Sequence, residues 1–353
     1  MAREDNFAIL VGVGDYPEGL MQRLDGPGND VDFFADWLAD PVGGNLPVAN
    51  IRKLVSPQQR NGAPPHPPSY LDFWQVLKSI VIVDQQLKRR PGRLYLFFSG
   101  HGFCDFKERT NHAALYTADA TPASSANVCG TFVADWCQRS AVFEEIMLVM
   151  DCCRDKEMSK PLYGMLIDEF HDPNRAKHVS RFDIYAVPYD GKAQERHFEA
   201  EGKRHGLLTY ALVHALRSAP LRNGPKPGDP AVRNTAAIKE FIEGVWGTLL
   251  AGERVESPEF GLPRKGDLLF PATPPRPLKR KIRLSTPLTT PAALHVIDDA
   301  KQDVSTVDLE LDAQAVTLEL PIALYEIVLE RDGLPNVSTT LPMMGVKDVV
   351  LEI

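Results

Sequence analysis

Short apolar segments that alternate with amphipathic segments are the feature that most constrains how this chain can fold. Each apolar segment has the length of a buried strand, and each amphipathic segment has the length of a helix. Strands that alternate with helices in this way indicate a mostly parallel sheet covered by helices on both faces. The predicted strands are 7–16, 50–56, 93–102, 144–151 and 182–189, and the predicted helices are 29–40, 70–90, 131–140, 206–218 and 234–252.

The C-terminal part of the chain has a different pattern. The segment PATPPRPLKRK at 271–281 is rich in proline, which is typical of a semi-rigid linker. Residues 282–353 alternate apolar and polar side chains, as half-buried strands do, with a turn predicted at Asp332-Gly333. The sequence therefore predicts an α/β domain over 1–270, a linker, and a small β-rich domain over 282–353.

Charge and cysteine content limit the partners and the compartment. The formal net charge is -8, and a protein that neutralises phosphates needs a basic surface, so we expect no nucleic-acid partner. The 5 cysteines are an odd number in a long chain, which is not the pattern of a disulfide scaffold. No segment approaches the roughly 20 apolar residues of a membrane span, and the first apolar run is too short for a signal peptide. We expect a cytoplasmic protein with no membrane contact.

Common cofactor motifs are missing from the sequence. The segment GVGDYPEG begins like a dinucleotide-binding loop, but Pro17 occupies the position of the third glycine. The chain has no GxxxxGK[ST] loop for a nucleotide phosphate, and neither paired CxxC motifs nor HExxH for zinc. The prediction is therefore no cofactor and no assigned metal.

Two segments with reactive side chains directly follow predicted strands. SGHG at 99–102 follows one strand, and DCCRD at 151–155 follows the next. The carboxyl ends of parallel strands meet at one edge of a sheet, where ligands of α/β folds bind. An imidazole at His101 and a thiol on one of the two cysteines would then form a Cys/His dyad, in which the base activates the thiol.

SGHG followed about fifty residues later by D-x-C resembles the caspase-like peptidases, and within them the metacaspases and their bacterial relatives. GKAQERHFE and HGLLTYALVHAL resemble the small-subunit region of that clan, and SPEF at 257–260 resembles its closing edge segment. The resemblance implies a caspase-like α/β/α sandwich over 1–270. It divides this domain into a large-subunit-like part (1–155), an intersubunit loop (156–181) and a small-subunit-like part (182–270).

The resemblance assigns the nucleophile to Cys153, because the family's nucleophile is the third residue of the triplet at the strand end. Alternation along a strand agrees, since a Cys153 that faces the cleft turns Cys152 into the protein. His101 would be the general base and acid. The backbone N–H groups of Gly102 and Cys153 would form the oxyanion hole. Arg154 and Asp155 follow the nucleophile where the family often has glycine.

Two carboxylates are candidates for the pocket that selects the residue before the scissile bond. Asp151 stands two residues before Cys153, and Asp30 resembles an acidic residue of metacaspases. Together they would attract an arginine or lysine side chain. Two alternatives remain open: Asp30 could instead cap the helix that begins near it, and Asp32 could take its place in the pocket.

The resemblance implies a regulated cysteine endopeptidase that cleaves protein or peptide substrates after Arg or Lys. It also implies a role in antiviral defence or cell death with a regulatory protein partner. The alternatives are a catalytically silent caspase-like scaffold that binds a partner protein, and a peptidase that prefers acidic residues. Two further predictions concern the loop after the nucleophile. Calcium could bind acidic residues there (Asp155, Glu157, Asp168, Glu169, Asp172), and self-cleavage could occur at a basic residue (Lys156, Lys160, Arg175, Lys177, Arg181).

Overall fold

The structure is a computed structural model in which the chain forms two compact units. One consists of residues 1–196, 204–243 and 256–273, and the other of residues 197–203, 244–255 and 274–353. The residues it describes are 3–17, 21–56, 68–104, 112–156, 161–168, 170–223, 231–249, 255–261, 265–272, 277–298, 301–321, 324–344 and 349–352.

Up to residue 272 the chain alternates strands and helices, as the sequence pattern predicts. A short 3-10 helix at Val48–Asn50 precedes the second strand. The strands and helices are, in chain order, β1 (Phe7–Val13), α1 (Gly26–Ala39), β2 (Ile51–Ser56), α2 (Tyr70–Val81), β3 (Ile82–Val83), β4 (Gln86–Leu87), β5 (Arg90–Gly100), β6 (Gly102–Cys104), β7 (Ala113–Tyr116), β8 (Asn127–Cys129), α3 (Gly130–Ser140), β9 (Phe143–Cys152), β10 (Asp155–Lys156), α4 (Pro173–Ala176), β11 (Ser180–Tyr185), β12 (Glu195–Phe198), β13 (Lys203–Gly206), α5 (Leu207–Ser218), β14 (Arg233–Asn234), α6 (Thr235–Leu249), β15 (Glu259–Phe260) and β16 (Leu269–Phe270).

A six-stranded sheet forms the centre of the first unit, in the order β15-β11-β9-β5-β1-β2. All neighbouring pairs from β11 to β2 are parallel, and β15 closes one edge in the antiparallel direction. This confirms the predicted mostly parallel sheet and the edge segment at SPEF. A smaller sheet, β10-β6-β7-β8, stands beside the carboxyl ends of β5 and β9.

Helices cover both faces of the central sheet, because its strands are buried on both sides. Leu96 and Phe98 of β5 belong to a core with side chains of α2 and α3, such as Phe73 and Trp136. Tyr95 and Phe97 point to the opposite face, where each ring contacts Phe34 of α1. Phe33 of α1 in turn contacts rings of α5, which places α5 on the same face as α1. The first unit is therefore an α/β/α sandwich.

Helix α2 is shorter than predicted. The pattern predicts a helix over 70–90, but α2 ends at Val81 and a two-strand hairpin of β3 and β4 follows. Asp84 and Gln85 form the tip of this hairpin with positive φ angles of 51° and 62°. The β-branched residues Ile82 and Val83 favour a strand at this point, whereas no glycine or proline marks the end of the helix.

The C-terminal unit contains two antiparallel-rich sheets. Its strands are β17 (Leu278–Leu284), β18 (Ala292–Ile297), β19 (Asp303–Leu309), β20 (Ala315–Leu320), β21 (Leu324–Arg331), β22 (Leu334–Pro342) and β23 (Val349–Leu351). The sheet orders are β20-β17-β23 and β19-β18-β21-β22. The predicted turn at Asp332-Gly333 joins β21 to β22, and Gly333 adopts the positive φ of 72° that the turn requires.

The predicted linker extends too far. Residues 278–281 were assigned to it by composition, but they form the first half of β17. Leu278 and Arg280 are buried while Lys279 and Lys281 are exposed, so the segment has the alternation of a strand. Residues 273–276 of the linker lie outside the described residues. In the part of the chain that the structure describes, no helix has the length and apolar character needed to cross a membrane.

Candidate active site

Two neighbouring strands bring the candidate dyad to one edge of the sheet. β5 ends at Gly100 and β9 at Cys152, and these two residues are paired in register. His101 and Cys153 therefore leave the sheet side by side. Gly100 adopts a φ of +147°, and a Cβ there would lie 2.7 Å from the carbonyl oxygen of Val13. Only glycine fits directly before His101.

The two cysteines face opposite ways, as the alternation along β9 predicts. Cys152 is fully buried in the core, and a Cβ on Gly102 would lie 2.6 Å from its Sγ. Cys153 is partly exposed and lines a pocket, where its Sγ lies 3.9 Å from the carbonyl oxygen of Ala193. Burial raises the pKa of both thiols, and that of Cys152 lies well above its usual range.

His101 is held by groups from the segment that precedes α1. Its backbone N–H donates to the Tyr16 hydroxyl at 2.9 Å, and the two rings lie 5.2 Å apart. Its Nε2 lies 2.7 Å from the carbonyl oxygen of Gln22. A carbonyl only accepts, so Nε2 carries a proton in this contact. In the neutral ring, Nδ1 is then the nitrogen that can accept a proton.

Asp30 lies on α1 and is almost completely buried, with 1% of its surface exposed. Oδ1 lies 3.0 Å from Nδ1 of His205 and accepts from Gly206 N at 3.1 Å. Oδ2 accepts from Ser99 Oγ at 2.8 Å and from Gly206 N at 3.2 Å. Burial raises the pKa of Asp30, and the hydrogen bonds from His205, Ser99 and Gly206 oppose this shift.

The structure decides both alternatives for Asp30. Helix α1 begins at Gly26 with Asp25 as its N-cap residue, so Asp30 lies one turn inside and does not cap the helix. Asp32 lies on the surface, where it pairs with Lys53 at 2.9 Å. Asp30 is therefore the acidic residue of this helix that reaches the pocket.

Asp151, at the end of β9, is the second buried carboxylate. Its Oδ2 accepts from the backbone N–H of Thr209 at 2.9 Å and from the Thr209 hydroxyl at 2.6 Å. Its Oδ1 receives no hydrogen bond from any described residue. Burial and then the negative charge of Asp30 raise the pKa of Asp151 to about 7. The folded chain therefore holds this proton up to a higher pH than a free aspartate does.

A pocket of about 90 Å³ contains all four of the predicted side chains. Sequence reasoning missed several residues that complete it, because they come from the segment that leads into β12 and from the end of β13, about 40 residues or more beyond Cys153. The described lining is Leu24, Pro27, Asp30, Ser99, Gly100, His101, Asp151, Cys153, Ala193, Gln194, Glu195 and Gly206.

Glu195 is a third carboxylate at this pocket. It accepts from the backbone N–H of Gly26 at 2.8 Å, at the N-terminus of α1, and pairs with Arg204 at 3.1 Å. Both contacts offset its charge, because the helix N-terminus and the guanidinium are positive. Glu195 therefore fastens the pocket wall at 193–195 to α1.

Gly102 and Cys153 are the residues predicted to form the oxyanion hole. Gly102 opens β6 and pairs with Leu115 of β7, and Cys153 directly follows β9. Both therefore lie at the carboxyl edge of the sheet beside the pocket. Their role in binding an oxyanion stays a prediction.

Arg154, directly after Cys153, is fully buried. Its guanidinium donates to the Val187 carbonyl at 3.3 Å, pairs with Glu259 of β15 at 2.6 Å and lies 4.5 Å from the centre of the Tyr185 ring. These contacts tie the residue after Cys153 to β11 and β15.

The acidic and basic residues of the loop after Cys153 have varied surroundings. Asp172 pairs with Arg89 and caps α4, while Glu157, Glu169 and Lys160 lie outside the described residues. Across the described ranges, no three His, Cys, Asp or Glu side chains come together as a group that could hold a metal ion. Arg181 is buried in ion pairs with Asp135 and Asp183, so it is not accessible to a protease in the folded chain.

A larger cavity of about 660 Å³ lies at the opposite edge of the sheet. It is lined by residues at the amino-terminal ends of β5, β9 and β11, among them Arg89, Arg90, Glu144 and His178. Its described lining includes no cysteine, so it cannot provide a thiol nucleophile. The smaller pocket is the one that combines a thiol, an imidazole and buried carboxylates.

Comparisons with known proteins give distant structural neighbours. No family model matches the sequence, and no curated protein matches it. The crystal structure of caspase-1 from Spodoptera frugiperda is similar with a TM-score of 0.43 and 9% identity, covering 74% of this chain and 89% of that one. A structure of pro-sf-caspase-1 has a TM-score of 0.39 and 11% identity, covering 77% and 89%. Both neighbours are caspases, but scores this low do not establish a shared family.

The raised pKa of Asp151 predicts how stability depends on pH. Its pKa is about 7 in the folded chain against 3.8 for a free side chain, so the folded state binds this proton more tightly than the unfolded state. The resulting stability is present at pH 4 and is lost as pH rises through 7. From pH 4 to 8 we expect wild type to lose roughly 2–4 kcal/mol relative to Asp151→Asn, measured by chemical denaturation at each pH. Parallel pH profiles for the two proteins would contradict this.

Proposed function

We propose that this chain is a cysteine endopeptidase of caspase-like fold that cleaves protein or peptide substrates after Arg or Lys. The observation that carries this proposal is one pocket that holds a thiol, an imidazole and two buried carboxylates. The pocket lies at the carboxyl ends of adjacent parallel strands, which is where α/β folds place their chemistry.

In the proposed reaction His101 and Cys153 act as a dyad. The contact of Nε2 with the Gln22 carbonyl leaves Nδ1 to take the thiol proton. The thiolate of Cys153 then attacks the carbonyl carbon of the scissile peptide, and the N–H groups of Gly102 and Cys153 stabilise the resulting oxyanion. The imidazolium returns its proton to the leaving amine. Water hydrolyses the acyl-enzyme and regenerates the thiol.

The two carboxylates give the proposal its preference for cationic side chains. Asp151 Oδ1 is available for a charge-assisted hydrogen bond, while Ser99 and Asp30 are joined at the same pocket floor. Glu195 adds a further negative group at the wall. An acidic side chain would be repelled here, which disfavours the alternative of cleavage after acidic residues.

A catalytically silent scaffold is the second candidate function. The pKa of the Cys153 thiol is raised by burial, and the thiol contacts the Ala193 carbonyl. An unactivated thiol of this kind fits a scaffold. It also fits a regulated peptidase in which a substrate or a regulatory protein partner moves the wall at 193–195. Only an active-site reaction separates the two.

The deciding experiment is affinity labelling of the thiol. A peptidyl chloromethylketone that ends in arginine is expected to alkylate wild type at Cys153, and one that ends in aspartate is expected to react far more slowly. Peptide mapping by mass spectrometry locates the adduct, and Cys153→Ala is the control. Labelling of any other cysteine, or no labelling even when the protein is heated gently to loosen the pocket wall, would favour the scaffold.

Some predictions do not concern the pocket. The role in antiviral defence or cell death, activation by calcium and self-cleavage remain predictions from the family resemblance, and the cytoplasmic location remains a prediction from the sequence. For self-cleavage, Arg175 and Lys177 are exposed candidates, and Arg175 lies on the short helix α4 with 65% of its side chain accessible.

A further inference from the structure

An ionised Asp30 would have a buried charge that its neutral neighbours cannot balance. Ser99 and the Gly206 N–H donate hydrogen bonds but carry no charge. Among the described residues, no lysine or arginine contacts Asp30. Arg204 lies next to His205 in sequence, but its guanidinium pairs with Glu195 instead. A buried carboxylate without a positive partner is strongly unfavourable.

Asp151 makes this imbalance worse because it shares a neighbour with Asp30. Gly206 donates its N–H to Asp30, and a Cβ on Gly206 would lie 2.1 Å from Asp151 Oδ2. The two carboxylates therefore face each other across one glycine, and both line the pocket. Two negative charges so close together in a buried site repel each other unless a cation offsets one of them.

His205 is the side chain in position to supply that cation. Its Nδ1 lies 3.0 Å from Asp30 Oδ1, and both side chains are almost completely buried. Its ring lies 5.0 Å from the ring of Phe33 and 6.2 Å from that of Tyr210. The Phe33 ring lies within the distance at which an aromatic ring attracts a cation.

We propose that His205 is a positioning residue whose positive charge is paired with Asp30, leaving Asp151 as the acid that recognises the cationic side chain of the substrate. This inference rests on the proposed function, since it concerns the same pocket. His205 touches no reacting atom. It acts through Asp30 on the charge that Asp151 presents.

Every charged or titratable group packed near His205 contributes to the net charge of the pocket floor. The groups come from α1, β9, the β12 and β13 segment, and α5. They are Asp30, Asp151, Glu195, Arg204, Tyr210 and His214. Glu195 and Arg204 offset each other, and Asp30, Asp151 and His205 remain to set the charge of the pocket floor.

These contacts predict how loss of the His205 charge changes the pH dependence of cation binding. Loss of the His205 charge exposes Asp151 to the full negative field of Asp30. The pocket floor then keeps a proton up to a higher pH, because two unscreened carboxylates do not both ionise. A cation binds well only after that proton has left, so its affinity should rise at a higher pH than in wild type.

The test uses agmatine, a guanidinium compound, titrated into the full chain by calorimetry between pH 5.5 and 8.5. His205→Asn keeps a donor to Asp30 but cannot become charged. At pH 7 it is expected to bind agmatine about fivefold more weakly than wild type, which corresponds to a rise of about one pH unit in a midpoint near pH 7. At pH 8.5 the agmatine affinities of His205→Asn and wild type should approach each other. A merely structural defect would not produce this convergence.

His214→Asn is the matched control. His214 lies on α5 and contacts the same two aromatic rings, 5.6 Å from that of Phe33 and 4.5 Å from that of Tyr210. Its replacement should leave the midpoint unchanged. An equal affinity of His205→Asn and wild type at every pH would overturn the proposal. An equal shift in both variants would also overturn it.

A second measurement on wild type does not depend on the variant folding. Long-range ¹H–¹⁵N spectra of histidine-labelled protein distinguish neutral from doubly protonated rings. An imidazolium at pH 7.5 that is assigned to His205 by its contact with the neighbouring Gly206 N–H supports the proposal, and a neutral His205 ring overturns it. If wild type binds no agmatine at any pH, the basic preference of the proposed function fails, whereas the spectrum still decides the charge of His205.

Discussion

Replacing Cys153 with alanine is expected to lower kcat/KM for arginine-containing peptides by roughly 10⁴-fold or more. The reason is that the proposed acyl-enzyme cannot form without the thiol, and only binding and oxyanion stabilisation would remain. The measurement is hydrolysis of a fluorogenic peptide with Arg at the cleaved position. Because Cys153 is partly exposed at the pocket, this substitution should leave the unfolding midpoint nearly unchanged.

Cys152→Ala is the matched control for this prediction, because it removes a thiol one residue away. Cys152 is buried in the core against Gly102, so its loss should cost about 1 kcal/mol of stability and leave most of the activity. Full activity in Cys153→Ala together with an inactive, folded Cys152→Ala would reverse the assignment of the nucleophile. Full activity in both would exclude a cysteine mechanism at this edge.

Asp151→Asn is expected to lower kcat/KM for Arg and Lys peptides by roughly 10²-fold or more. The asparagine Oδ1 can still accept both hydrogen bonds from Thr209, so the side chain should keep its position. The asparagine Nδ2 then occupies the position that Oδ1 of Asp151 has in wild type. A hydrogen-bond donor therefore faces the substrate guanidinium in place of an acceptor. Loss of one partner from a buried charge pair typically costs several kcal/mol, which is the basis of this estimate.

The control for Asp151→Asn is the same substitution on α1 at the surface. Asp32→Asn removes an exposed pair with Lys53 and should change neither rate nor specificity. A panel of peptides ending in Arg, Lys, Asp or Leu at the cleaved position separates a loss of charge recognition from a general loss of activity. Faster cleavage after Asp by wild type would contradict the pocket assignment.

The sequence predicts the sheet and the edge where the dyad lies, because local patterns carry that information. Apolar runs define β5 and β9, and the residues that follow them, His101 and Cys153, must appear at the same edge of a parallel sheet. Alternation along β9 is also enough to separate Cys152 from Cys153. The end of α2 was wrongly predicted because Asp84 and Gln85 adopt positive φ angles without a glycine or proline to signal them.

The partners of the two carboxylates are set by contacts that no local pattern reveals. His205 and Gly206 reach Asp30 from 175 and 176 residues away, and Thr209 reaches Asp151 from 58 residues away. Their tertiary arrangement also decides which carboxylate oxygen is available. From the sequence Asp30 and Asp151 look equivalent, whereas in the fold both oxygens of Asp30 are occupied and Oδ1 of Asp151 is not.

Strand order has a consequence for a chain cut anywhere between β10 and β11. The segment before such a nick contributes β9 and the segment after it contributes the neighbouring strand β11, so the two fragments would share one continuous sheet. Arg154 on the first fragment would still form its ion pair with Glu259 on the second. The pieces should therefore copurify as a non-covalent pair. Split genes encoding them separately offer a route to complementation.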